Sequence, residues 1–255
     1  MAKPFLSVVI PAYNEAKRIP LTLIDVDKHL RAQDFSYEII VVNDGSRDAT
    51  AEIVSRFIPL VRNLKLIDNK VNRGKGAVVR QGMQAAKGAI RLFTDADNST
   101  SIDQFNKMLP HFKEGYDVVI GSRDVPGARL EPPQRWYKRL FGNLGNLFIQ
   151  TLLLRGIWDT QCGFKAFREE AVEEIFPMLK IDRWGFDIEI LSLAKALGYR
   201  VKEIPVVWVN DPFSHLKLTG YLQVLWETVK IRWWLSRGKY PLRRQELPND
   251  ENAGV

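Results

Sequence analysis

The chain has 255 residues, 45% hydrophobic and 26% charged, the make-up of a globular protein rather than a fibrous or disordered one. One cysteine, Cys162, excludes an intramolecular disulfide and a multi-cysteine zinc site, and the three histidines His29, His111 and His215 lack the HExxH spacing of a histidine-built metal centre. The net charge of +7 is concentrated between Lys230 and Arg244, a stretch with six basic residues and no acid, and this local excess argues against a general nucleic-acid-binding surface.

Leu6–Ile10 is a short β-branched run closed by Pro11 and predicts a buried strand. Asn14 is placed to cap a helix reaching about Gln33. Tyr37–Asn43 predicts a second strand, ended by Asp44-Gly45-Ser46, and Asp48 starts a helix with Ile53, Val54, Phe57 and Ile58 on its apolar side. Leu64–Asp68 is a third strand, and Asn72–Gly76 leads into a helix to about Lys87. Ala89–Thr94 is a fourth strand, Ile102–Phe112 a helix and Asp117–Ile120 a fifth strand. This alternation predicts right-handed βαβ units and a parallel sheet covered on both faces, with ligands bound beyond the carboxyl ends of the strands. Those ends carry Tyr13 and Glu15, Asp44, Asn72 and Arg73, Asp95 and Asp97, and Ser122 and Arg123.

From Arg123 the alternation breaks down. Arg129–Pro133 reads as a loop, followed by a helix from about Gln134 to Leu154 and a mixed segment, Asp159–Phe167. Helices are expected near Glu169–Met178 and Phe186–Leu197, and a strand at Val201–Val207. The last helix, about 218–237, sets Leu218, Leu222, Leu225, Val229 and Trp233 at helical spacing, with Tyr221, Trp226 and Trp234 interleaved with Lys230 and Arg232. Such a helix suits a membrane interface; core packing with solvated basic ends is the plainer alternative. Leu140–Trp158, the most apolar stretch, is broken by Gly142, Asn143, Gly145, Asn146 and Arg155 and falls short of the ~20 apolar residues of a span. No signal peptide is legible at the start, so the chain is expected to be cytoplasmic and at most peripheral on a membrane. The reading is one domain over residues 1–244 with a disordered tail at 245–255.

The glycine signatures of dinucleotide and P-loop folds are missing: Gly74-Lys75-Gly76 has Val79 where a third glycine would stand. Asp95-Ala96-Asp97, at the end of a buried strand, offers two hard carboxylates suited to Mg²⁺ or Mn²⁺, although the same triplet also serves to cap loops and helices.

SVVIPAYNE, EIIVVNDGSRDAT, NRGKGAVVRQG and FTDADNST occur in that order, and with them the chain resembles the family 2 glycosyltransferases. GSRDVPGARL, DTQCGFKAF and RWGFDIEIL extend the resemblance to the branch that acts on polyprenyl (dolichyl) phosphates. It implies an α/β fold of the GT-A kind, a Rossmann-like nucleotide-diphospho-sugar transferase with a mixed sheet flanked by helices. It also implies an inverting transfer from a nucleotide-sugar donor to a polyprenyl phosphate, with Mg²⁺ or Mn²⁺. On this pattern Pro11, Tyr13 and Glu15 line the nucleoside pocket, and Asp44 accepts hydrogen bonds from the base or instead holds the Asp-Gly turn. Arg73 and Lys75 approach the diphosphate or sugar, and Asp95 and Asp97 hold the metal. Arg123, Arg135, Arg139 and Lys165 are candidates for the acceptor phosphate, with a solvated helix face as the alternative for Arg135 and Arg139. Asp187 is either a general base or a positioning residue; a phosphate acceptor is already an anion and needs no base. Mannosyl relatives often carry Gln two residues after the second metal Asp, where this chain has Ser99. UDP-glucose is thus the first expected donor and GDP-mannose the second. Transfer to a sugar hydroxyl and a non-enzymatic, nucleotide-responsive membrane module are the rival readings. Cys162 is expected to be an inert buried residue.

Overall fold

The computed structural model describes residues 3–132, 136–209 and 218–242. β1 (Leu6–Ala12) and β2 (Tyr37–Asp44) are buried along their whole length, as near-continuous β-branched runs are when a parallel sheet is covered on both faces. With β3 (Leu64–Asn69), β4 (Ile90–Phe93), β5 (Val118–Ser122), β7 (Lys165–Arg168) and β8 (Val201–Pro205) they form a seven-stranded sheet of order β3-β2-β1-β4-β7-β5-β8. A small second ladder pairs β6 (Arg129–Glu131) with β9 (Val207–Val209) in parallel. The sheet is parallel except at β7, which runs antiparallel between β4 and β5 and bonds to both.

Alternating residues of the central strands supply two cores. Val9, Ile40, Val42, Phe93 and Phe167 face α3 (Lys75–Ala85), α6 (Glu169–Ile175), α7 (Phe186–Ala196) and α8 (Leu218–Ser236). Val8, Ile10, Ile39, Val41 and Leu92 face α1 (Ile19–Arg31), α2 (Thr50–Phe57) and α4 (Phe105–Lys113). Helix α5 (Trp136–Leu152) packs against α8.

Three expectations need correction. The loop expected at Arg129–Pro133 contains β6, and the mixed segment Asp159–Phe167 ends in β7, a strand so short that only Ala166 and Phe167 advertise it. Asn14 caps no helix: α1 starts at Ile19, with Pro20 in its first turn, while Asn14 takes φ +56° and ties two loops together. Its N–H donates to Ser46 Oγ (2.9 Å) and its Oδ1 accepts from Arg47 N (2.8 Å). The face of α8 that packs is Val224, Glu227, Thr228 and Ile231, so Leu222, Trp226, Val229 and Trp233 are exposed. The packed face escaped hydropathy because two of its members are polar and internally satisfied. The expected tail at 245–255 lies outside the described residues. Among the described residues, no helix is long and apolar enough to cross a membrane.

Candidate active site

The strand order reverses at β1, so the carboxyl ends of β1 and β4 flank a crevice, the place where open α/β sheets bind ligands. Pro11 sits in β1 beyond the last β1–β4 pair, Val9 with Phe93, where its missing N–H leaves no ladder bond unmade. Tyr13 follows with an exposed ring. Glu15 receives two 2.6 Å hydrogen bonds from Arg18, and burial still holds its carboxyl above the usual range. Arg18 also approaches Asp97 (Nη1 to Oδ2 3.8 Å), which makes it a site residue that the sequence did not single out.

Asp44, at the end of β2, is buried and faces the chain beyond β3. Its carboxylate accepts from the N–H of Arg73 (2.7 Å), the N–H of Gly74 (2.9 Å) and Asn72 Nδ2 (2.9 Å). It therefore holds the 72–74 loop, a role that neither base recognition nor its own Asp-Gly turn anticipates. Gly45 permits this approach: a Cβ there would lie 2.7 Å from Asn72 N, and its φ is +66°. Arg73 is exposed beside the crevice, and Lys75 opens α3.

Lys75 Nζ lies 2.5 Å from Asp95 Oδ1. Burial works against its charge, but Asp95, Asp187 and Asp97 outweigh burial and raise its pKa. Asp97 Oδ1 accepts from Ser99 N (3.0 Å); burial, and then the neighbouring Asp95, push its carboxyl upward. Among the described residues, no three His, Cys, Asp or Glu side chains converge on one point. Two partly exposed carboxylates that repel each other nevertheless fit a hard divalent ion whose remaining ligands are diphosphate oxygens and water. Gly163 forms the wall behind them: a Cβ there would sit 2.0 Å from Asp95 Oδ2.

Asp187, in the first turn of α7, is bonded by Lys165 Nζ (2.6 Å), which also donates to the Cys162 carbonyl (2.5 Å). Lys165 is fully buried, with its ammonium 5.5 Å from the Phe93 ring centre, so the fold pairs it with Asp187. Burial raises the Asp187 carboxyl despite Lys165 and Lys75. Arg123 is fixed by a two-bond pair with Asp159 (Nε to Oδ2 2.7 Å, Nη2 to Oδ1 2.9 Å) and lies 4.8 Å over the Trp208 ring. Asp159 outweighs burial to raise the Arg123 pKa, and Arg123 in turn lowers that of Asp159. Glu203 supports the pair by accepting from the N–H groups of Trp158 and Asp159. Arg135 and the side chain of Arg139 lie outside the described residues. Cys162 is buried, and burial pushes its thiol up to about 12.

The crevice thus gathers Glu15, Arg18, Lys75, Asp95, Asp97 and Asp187, and Arg123 stands on a separate support. Comparison with known proteins gives this arrangement a context. The chain is 39% identical over 246 residues to a dolichyl-phosphate beta-glucosyltransferase of Dictyostelium discoideum, an alignment covering 89% of this chain and 74% of that one. It is 34% identical to the Homo sapiens protein of the same name, covering 96% and 80%. Among solved structures, mannosyl-3-phosphoglycerate synthase from Rubrobacter xylanophilus superposes with a TM-score of 0.68 at 18% identity, covering 96% of this chain and 79% of that one. Glucosyl-3-phosphoglycerate synthase from Mycobacterium tuberculosis, with Mg²⁺ and uridine diphosphate, gives 0.66 at 21%, covering 93% and 80%. These two likenesses establish the GT-A fold, and residues 7–176 match the model of glycosyl transferase family 2. The chain belongs to glycosyl transferase family 2.

Proposed function

We propose that the protein transfers glucose from UDP-glucose to a polyprenyl phosphate of the dolichyl class and inverts the anomeric carbon. The observation that carries this reading is the group of Asp95, Asp97 and Lys75 at the switch point, in a chain 39% and 34% identical to two relatives named dolichyl-phosphate beta-glucosyltransferase. An acceptor phosphate oxygen attacks C1 of the α-linked donor, the bond from C1 to the diphosphate oxygen breaks, and the nucleoside diphosphate leaves. A divalent cation at Asp95 and Asp97, Mg²⁺ or Mn²⁺, would neutralise the leaving diphosphate. Lys75 adds a positive charge there, and Arg123 offers the acceptor phosphate the guanidinium edge that Asp159 leaves free. Asp187, bonded to Lys165, suits positioning better than proton removal, in keeping with an acceptor that is already ionised. The test is a donor screen with short-chain polyprenyl phosphate and each metal. Acid-labile lipid-linked glucose from UDP-glucose, lost on chelation, is expected. Product from GDP-mannose alone would overturn the donor assignment, and product only on sugar hydroxyls would overturn the acceptor.

The acceptor chemistry implies a lipid surface, and the protein is read as peripheral on the cytoplasmic face of a membrane. Leu222, Trp226, Val229 and Trp233 form an exposed stripe on α8, with Leu144, Leu147 and Phe148 exposed on neighbouring α5. Lys230, Arg232 and Arg237 accompany the stripe. Replacing Trp226 and Trp233 together by serine is expected to weaken co-sedimentation with anionic vesicles about 10-fold or more, given the transfer energy of two indoles. Equal binding by the variant and the wild type, read in a sedimentation titration, would remove the helix from this role.

A further inference from the structure

Helix α7, which carries Asp187 in its first turn, begins between α8, which Gly185 approaches, and the start of α3, where Gly76 approaches Phe186. Its N-cap residue is Gly185, whose N–H donates to Glu227 Oε2 of α8 at 2.7 Å. Glu227 is buried, and its other oxygen accepts from Gln223 Nε2 (2.8 Å). A carboxylate at this end of a helix takes up an N–H the helix cannot satisfy itself and complements the helix dipole. A Cβ on Gly185 would stand 2.7 Å from Glu227 Oε2 and 2.8 Å from Glu227 Cβ. The backbone there has φ −80°, open to any residue, so close approach to α8 is what demands glycine.

The other side of the same segment rests on the start of α3. Ala77 N donates to the Asp182 carbonyl (3.1 Å), and Arg80 binds the Leu179 carbonyl (2.7 Å) and Asp182 Oδ1 (2.8 Å). A Cβ on Gly76 would lie 2.7 Å from Phe186 Cβ. Residues 179–186 are thus wedged between α8 and the turn that presents Lys75, while Phe186 leans on Phe93 at 5.9 Å, two residues before Asp95. The opposite face of α8 carries the exposed Leu222, Trp226, Val229 and Trp233.

We propose that Glu227 is a positioning residue that ties the first turn of α7, and with it Asp187, to α8, so that the seating of α8 on lipid sets the geometry of the transfer site. The lipid part of this proposal rests on the membrane reading given above. The coupling needs no movement of Asp95 or Asp97: it acts on Asp187 and on the 179–186 segment beside Lys75.

The test uses the full chain, with turnover measured in solution and on vesicles of phosphatidylcholine with one-third phosphatidylglycerol. Glu227→Ala is expected to lower kcat about 10-fold, the scale of a small misplacement at a reacting centre. Its affinities for UDP and for vesicles should stay at the wild-type values, and it should lose whatever stimulation vesicles give the wild type. Glu227→Gln, which keeps an acceptor oxygen, should recover most of kcat. Gly185→Ala, whose added methyl would stand 2.7 Å from Glu227 Oε2, displaces the carboxylate from the other side and should reproduce the loss. It also carries the test if Glu227→Ala does not fold. Wild-type kcat in both variants, or undiminished vesicle stimulation without Glu227, would overturn the proposal. A wild type that neither binds vesicles nor responds to them would overturn the membrane reading instead, a result distinguishable from the kcat pattern in solution.

Discussion

Gly163→Ala is expected to lower kcat/KM about 100-fold or more while leaving the fold intact. The added methyl would coincide with the Asp95 carboxylate, 2.0 Å from Oδ2 and 2.4 Å from Cγ, so the carboxylate must move by more than an ångström. That movement costs little stability, because what shifts is the end of a side chain with solvent on its other flank. It is costly for catalysis, because it breaks the contact with Lys75 and alters the spacing to Asp97 on which the proposed divalent ion would depend. Thermal melting should therefore stay near wild type, and calorimetric titration should show weakened metal-dependent UDP binding. Activity within threefold of wild type would mean that the Asp95 position does not control the reaction.

Lys165→Met carries the largest expected loss of stability, about 3–5 kcal/mol, the usual cost of leaving one member of a buried ion pair alone. In a chain of this size that corresponds to a fall in Tm on the order of 10 °C. Met matches the length of the lysine stem, so the loss reports the charge and the bonds to Asp187 and the Cys162 carbonyl. The pH dependence has a definite sign. Burial already raises the Asp187 carboxyl, and removing Lys165 removes an opposing influence, so its folded pKa climbs further above the unfolded value. In the window between those two pKa values the folded state binds the extra proton, and stability falls as pH rises. The deficit should be full above the folded pKa and should shrink as pH drops towards the unfolded carboxylate range. Denaturant melts at several pH values measure it, and a deficit independent of pH would show that Asp187 does not bear the unpaired charge.

The central strands are legible because β1, β2 and β4 are buried on both faces and so read as mostly apolar runs, broken only by the buried Ser7, Glu38 and Arg91 before the polar ends of the strands. Asp95, Asp97 and Glu15 stand out in the sequence because strand ends concentrate polar residues where the sheet opens, whereas Lys75 is named by the resemblance alone. What escaped the sequence depends on contacts between distant segments. Arg18 reads as a helix-start cation until Asp97 is brought beside it, and Gly163 as a loop residue until Asp95 packs on it. Lys165 is a candidate for the acceptor phosphate on the resemblance alone; its burial against Asp187, which lies on another element, has no signal in the sequence. The packed face of α8 is not announced by hydropathy, because Glu227 and Thr228 are polar and the partner of Glu227 lies on a distant segment.

The antiparallel strand has a consequence for the order in which the chain acquires its structure. β1 to β4 pair among themselves within the first 93 residues, through contacts that each crossover helix keeps short. β5 has no such early partner: its neighbours are β7 and β8, both later in the chain. On a ribosome the first half can therefore close while β5 waits, with its edge unpaired, until Lys165–Arg168 emerges to join the two halves. The strand that joins the two halves is also the one that carries Lys165, and its partner Asp187 follows 22 residues later on α7, so the crevice is completed only after β7 has a place in the sheet.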